Sequence, residues 1–92
     1  MNTNTGPLTG IRVIELSGPA GQPCGRALAD LGADVILVEP PKGSESRNFL
    51  PFTLKGDHPD RSIFFLHFNT NKRSVSLDIT SSKGQDTLLS LI

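Results

Sequence analysis

The stretch Gly10 to Glu39, reading GIRVIELSGPAGQPCGRALADLGADVILVE, restricts the fold more than any other part of this sequence. Ile11, Val13, Ile14 and Leu16 form an apolar, β-branched run that stops at Ser17, Gly18 and Pro19, as a strand running into a loop does. After Pro23, the residues Cys24, Ala27, Leu28 and Leu31 recur at helical spacing. Pro23 suits the first turn of that helix, and Gly32 is placed to cap its end. Val35 to Val38 is an unbroken apolar run, the pattern of a parallel strand covered on both faces. The unit is therefore βαβ, with a right-handed crossover.

A chain of 92 residues has room for one small domain. Its nine basic and nine acidic residues cancel, so no global field draws it to nucleic acid or to an anionic membrane, and any anion site has to be local. The N-terminus lacks the basic and apolar regions of a signal peptide, and no stretch is long enough to span a bilayer; the expectation is a cytoplasmic protein. One cysteine permits no internal disulfide, in keeping with a reducing compartment.

Residues 1–9 are polar, carry Gly6 and Pro7, and read as a flexible lead-in to a unit spanning 10–92. From Pro40 to Ser62, four prolines, two glycines and scattered charges indicate a long loop, with Phe49, Leu50, Phe52 and Leu54 available to pack it down. Ile63 to Phe68 is apolar except for His67; its length fits helix or strand, and a short helix is expected. Asn69-Thr70-Asn71 signals a turn before Lys72-Arg73. Val75, Leu77 and Ile79 then alternate with polar residues as in a strand with one buried face. Ser82 and Gln85 fit a capping box for a last helix carrying Leu88, Leu89 and Ile92. That helix has no stop signal, and the expectation is a sequence cut inside a larger domain.

The turn Gly18-Pro19-Ala20-Gly21-Gln22-Pro23 lies between a strand and a helix start, where free amides commonly receive a phosphate. Glu39 stands at the end of the second strand, where a dinucleotide-binding protein keeps its ribose acid. The glycines at 18, 21 and 25 do not give G-x-G-x-x-G, however, and the same residues also suit a plain tight turn. Cys24 sits at a helix start with no partner base in view, so a buried packing role is expected. His58 and His67 have no ligand-spaced companions, and no metal site is expected; His67 reads as a core or interface histidine. Arg47, Lys72 and Arg73 are the cations best placed in sequence to meet a phosphate, and solvated charges are the alternative.

Four segments in order resemble one family: Leu8 to Leu16 (LTGIRVIEL), Leu28 to Ile36 (LADLGADVI), Val38-Glu39-Pro40-Pro41, and Asn71 to Ile79 (NKRSVSLDI). Together they are similar to the family III CoA-transferases, the carnitine CoA-transferase, formyl-CoA transferase and bile-acid-inducible type, which also include α-methylacyl-CoA racemases. The resemblance implies an α/β, Rossmann-like N-terminal part of the family's large domain, incomplete at its C-terminal side. It implies an enzyme that moves CoA between carboxylic acids through an aspartate nucleophile. Its partners would be an acyl-CoA and a carboxylic acid acceptor, and the whole enzyme would be an interlocked homodimer. The family's CoA site maps to Ala20 and Gly21 on the first strand-helix loop, and to Leu77, Asp78 and Thr80 after the basic pair. Lys72 and Arg73 belong to the motif, and their charge suggests a phosphate contact. The sequence departs from the family pattern at Gln22-Pro23, commonly Gly-Pro, at Pro40, an arginine in some members, and at Thr80, usually lysine.

In the family the nucleophilic aspartate comes after the last residue here, so none of Asp30, Asp34, Asp57, Asp60, Asp78 or Asp86 takes that role and no catalytic residue is assigned. The alternatives are an α-methylacyl-CoA racemase using acid-base chemistry at the α-carbon, a non-catalytic nucleotide-binding fragment, and a remnant unable to fold alone.

Overall fold

A computed structural model describes residues 6–16, 18–51 and 62–92. Three strands, β1 (Arg12–Glu15), β2 (Asp34–Glu39) and β3 (Arg73–Ser76), form a parallel sheet in the order β1-β2-β3. Val13 pairs with Val35 and Ile14 with Ile36 on one side of β2; Leu37 pairs with Ser74 and Val38 with Val75 on the other. The central strand is the one with the continuous apolar run, and Val35 to Glu39 are all buried. Alternation puts Val13, Glu15, Val35, Leu37, Glu39 and Ser74 on one face of the sheet.

That face carries α1 (Gln22–Asp30), with Ala29, Ala33 and Val35 packed as a core and Leu8, Val13 and Leu28 around it. Helix α1 starts with Pro23 in its first turn and ends in a Schellman arrangement: the Gly32 N–H donates to Ala29 O (3.0 Å) and the Ala33 N–H to Leu28 O (3.1 Å). Gly32 adopts φ +103°, which makes glycine the fitting residue there.

The buried side of α1 is not the expected stripe. Gln22, Gly25 and Ala29 face inward, whereas Cys24 is exposed and Leu31 is nearly half exposed. Close approach of helix to sheet favours small residues, a criterion that apolar periodicity does not register. Residues 6–9, expected as a loose lead-in, are held by turns: Gly6 N–H donates to Thr9 Oγ1, and Leu8 N–H to Leu31 O at 3.0 Å.

Beyond β2, residues Glu45–Asn48 form one 3₁₀ turn, and Phe49 packs against Phe64 in a tilted pair with ring centroids 5.0 Å apart. Phe52, Leu54, Asp57, His58 and Asp60, like Ser17, lie outside the described residues. The ambiguous apolar segment is a helix, α2 (Ile63–Asn69), whose start is fixed by the Ser62 hydroxyl accepting the Phe65 N–H. Asn71 turns the chain into β3 at φ +71°, a conformation asparagine tolerates. Strand β3 ends earlier than the alternation suggested: Ile79 is 43 % exposed and lies beyond it. The last helix, α3 (Ser82–Leu91), is capped by Ser81, not Ser82. No helix among the described residues is long and apolar enough to cross a membrane.

A crevice at the carboxyl edge of the sheet

In an open parallel sheet the loops leaving the carboxyl ends of the strands converge, and ligands bind between them. Here those loops enclose a crevice of about 680 Å³. Leu16, Gly18 and Pro19 come from the β1–α1 loop; Pro40 to Glu45 and Asn48 come from the segment after β2; Asp78 comes from the segment after β3. A smaller recess of about 260 Å³ adjoins it and is lined by Leu77, Asp78, Ile79 and Thr80 against Pro40 and Pro41. The walls are mostly apolar. Among the described residues Lys42 is the cation lining the larger crevice, and none lines the smaller recess.

The crevice loop hangs from Glu39, which is 3 % exposed. Arg47 grips its carboxylate with two bonds, Nε to Oε1 at 2.7 Å and Nη2 to Oε2 at 2.8 Å. The Ser44 N–H donates to Oε1 at 2.7 Å, and Ser74 Oγ donates to Oε2. Burial alone would raise this carboxyl. Hydrogen bonds from Arg47, Ser74 and the Ser44 amide, with the Arg47 charge, outweigh burial and bring its pKa from 4.5 to about 2. Arg47 also lies 3.9 Å over the Phe65 ring, so this cation belongs to the scaffold. Both Glu39 oxygens are thereby engaged within the scaffold rather than left for a ribose.

Behind the loop lies a second buried polar cluster. Gln22 is fully buried; its Nε2 donates to Ser44 Oγ at 3.0 Å, and its Oε1 accepts from Ser46 Oγ at 2.9 Å and Asn69 Nδ2 at 3.0 Å. Lys72 Nζ donates to Gln22 O and Asn69 Oδ1 and lies 2.8 Å from Glu15 Oε1, with only 2 % of its side chain exposed.

The positions expected to hold a ligand thus separate. Leu77, Asp78 and Thr80 border the smaller recess, and Asp78 borders both. Asp78 is held below its usual range by the Thr80 hydroxyl and then the Thr80 amide, which bond its Oδ1. Ala20 is exposed on the first loop, but the Gly21 and Gln22 amides donate back to Gly18 O and Pro19 O, so these two N–H groups are not directed at a ligand. Lys72 does not face the crevice, because its ammonium joins β1, α1 and α2 from within. Arg73 lies at the amino edge of the sheet, bonded to Asp34 at 3.0 and 2.6 Å. Lys42 and Ser44 carry no motif of their own, and Gln22 enters from sequence only as part of the first turn; Lys42 follows two prolines directly after β2, the cue that sequence offers for it. Among the described residues no three of His, Cys, Asp and Glu gather as metal ligands.

The sequence matches the model of CoA-transferase family III over residues 8–92. The chain belongs to that family. It is 39% identical over 88 residues to succinyl-CoA:mesaconate CoA-transferase of Haloarcula hispanica, covering 95% of this chain and 22% of the relative. It is 42% identical over 88 residues to 2-methylfumaryl-CoA isomerase of Chloroflexus aurantiacus, covering 95% of this chain and 21% of that protein. The structure superposes on a CAIB/BAIF family protein from Brucella suis with a TM-score of 0.80 and 37% identity, over 90% of this chain and 22% of the other. This family III member therefore spans about a fifth of the length of the relatives it matches.

Proposed function

We propose that this chain supplies one wall of the acyl-CoA seat of an enzyme that moves CoA between carboxylic acids. The observation that carries this reading is the convergence of three carboxyl-edge loops on one largely apolar crevice, in a chain that matches CoA-transferase family III. Ala20 and Gly21 stand on the first loop, Leu77, Asp78 and Thr80 on the third, and Lys42 on the second, where its ammonium can meet a phosphate. Lys72 acts by holding the scaffold. Arg73, paired with Asp34 at the far edge, is outside the seat.

The family resemblance implies that the chemical step belongs to an aspartate outside these residues. Asp30 is bonded to Arg26 and Asn71, Asp34 to Arg73, and Asp78 to Thr80. With its remaining parts the enzyme would act in the cytoplasm as an interlocked homodimer, taking an acyl-CoA and a free carboxylic acid. A second reading, isomerisation of a CoA thioester, is supported by similarity to the 2-methylfumaryl-CoA isomerase; the relatives' names do not favour an α-methylacyl-CoA racemase.

Calorimetric titration of CoA into the 92-residue chain tests the seat. CoA binds, Lys42→Gln weakens it about fivefold, the scale of one partly exposed charge contact, and Arg73→Ala leaves affinity unchanged. No binding to the parent chain removes this reading. A loss with Arg73→Ala equal to that with Lys42→Gln places the phosphate elsewhere.

A further inference from the structure

We propose that Gln22 is a positioning residue for the acyl-CoA crevice, tying the crevice loop to the start of α1 and the end of α2 before any ligand arrives. Family resemblance favours glycine at this position, whereas this chain places a long amide there and buries it completely. Both ends of that amide are engaged. Nε2 donates to the Ser44 hydroxyl, on a residue that lines the crevice; Oε1 accepts hydrogen bonds from the Ser46 hydroxyl, in the 3₁₀ turn, and from the Asn69 amide, at the end of α2. Ser44 and Ser46 are themselves 2.9 Å apart through their hydroxyls.

The crevice loop therefore has two independent moorings. Glu39 holds it from β2 through the Ser44 amide and Arg47; Gln22 holds it from α1 through the two serine side chains. The Gln22 carbonyl accepts from Lys72, so the second mooring continues through Lys72 into Glu15 at the end of β1. A loop of prolines and glycine has little side-chain area of its own to fix it, and buried, fully satisfied amide bonds supply that constraint at a defined geometry. The consequence for ligand rests on the acyl-CoA reading: with the wall already in place, binding spends less free energy on ordering it.

The test compares Gln22→Leu, which keeps volume and removes the bonds, with the parent chain by amide hydrogen exchange and by CoA titration, well below the melting temperature. The Ser44, Ser46 and Arg47 amides exchange about tenfold faster, the scale of one lost hydrogen bond, while Ile36 and Leu37 in β2 keep their protection, and CoA affinity falls. Equal acceleration across β2 and the loop marks a merely structural residue and overturns the proposal, as does unchanged loop exchange. The double variant Ser44→Ala/Ser46→Ala breaks the same mooring from the loop side, so the loop-specific pattern is decided even where Gln22→Leu fails to fold. If CoA does not bind the parent chain, the acyl-CoA reading fails by itself, and the exchange pattern still decides the role of Gln22.

Discussion

A side chain at position 25 would collide with a salt bridge. A Cβ built on Gly25 falls 1.8 Å from Glu15 Oε1 and 2.9 Å from Lys72 Nζ, inside the buried pair that joins β1 to the turn before β3. Gly25→Ala therefore lowers stability by about 1–3 kcal/mol despite the better helix propensity of alanine. A urea midpoint at or above that of the parent chain would contradict this. Glu39 gives a second residue-level prediction. Its folded pKa is depressed, so the stability it contributes is fully present above 4.5 and is lost as pH falls toward about 2. Acid titration of the parent chain should show up to about 3 kcal/mol disappearing through that window, and Glu39→Gln should flatten the slope there. From sequence, Lys72 is expected to meet a phosphate and Glu39 stands where a ribose acid would. Lys72 reaches Gln22 and Glu15 far back in the chain, and Glu39 is held by Ser44 and Arg47 across an irregular loop and by Ser74 from the neighbouring strand; none of these pairings follows from a local period.

At the scale of the elements, the start of α3 offers the sharpest test. Adjacent serines both fit a capping pattern, with Gln85 three residues after Ser82 and Gly84 three residues after Ser81. The preceding turn decides between them: Ser81 N–H and Oγ both donate to Asp78 O, and Ser81 Oγ accepts the Gly84 N–H at 3.0 Å. Gly84 lets the helix start abut Asp78, since a Cβ there would lie 1.9 Å from its carbonyl. Ser81→Ala should cost about 1 kcal/mol in thermal unfolding, and Ser82→Ala only a few tenths. Signals built from one residue in one conformation, such as Gly32 after α1 and the apolar run of β2, were legible in the sequence. The choice between Ser81 and Ser82 was not, because it depends on a turn closed by Asp78. The Gln22 cluster was hidden for a related reason: it gathers α1, the crevice loop and α2, and no spacing within any one of them announces it.

At the scale of the molecule, apolar surface faces outward in several places. Leu16, Leu31, Leu89 and Ile92 are between 46% and 82% exposed, and the formal net charge is zero. The 92-residue chain should therefore self-associate as its concentration rises, visible as a growing sedimentation coefficient; a constant monomer value across a hundredfold range would oppose this. The α/β class, the parallel sheet and the carboxyl-edge location of the crevice all follow from the βαβ pattern. The exposed Cys24 face of α1 does not, since apolar periodicity points it inward.

The strand order has a kinetic consequence. β2 lies between its two neighbours, so neither β1 nor β3 has a strand to pair with until β2 is present. The stretch linking β1 to β2 is the shorter of the two connections and contains a helix whose C-terminal end is closed by its own Gly32 turn. Loop closure is easier for the shorter connection. The route to the native sheet therefore passes through a nucleus of β1, α1 and β2, with β3 docking afterwards and completing the crevice last.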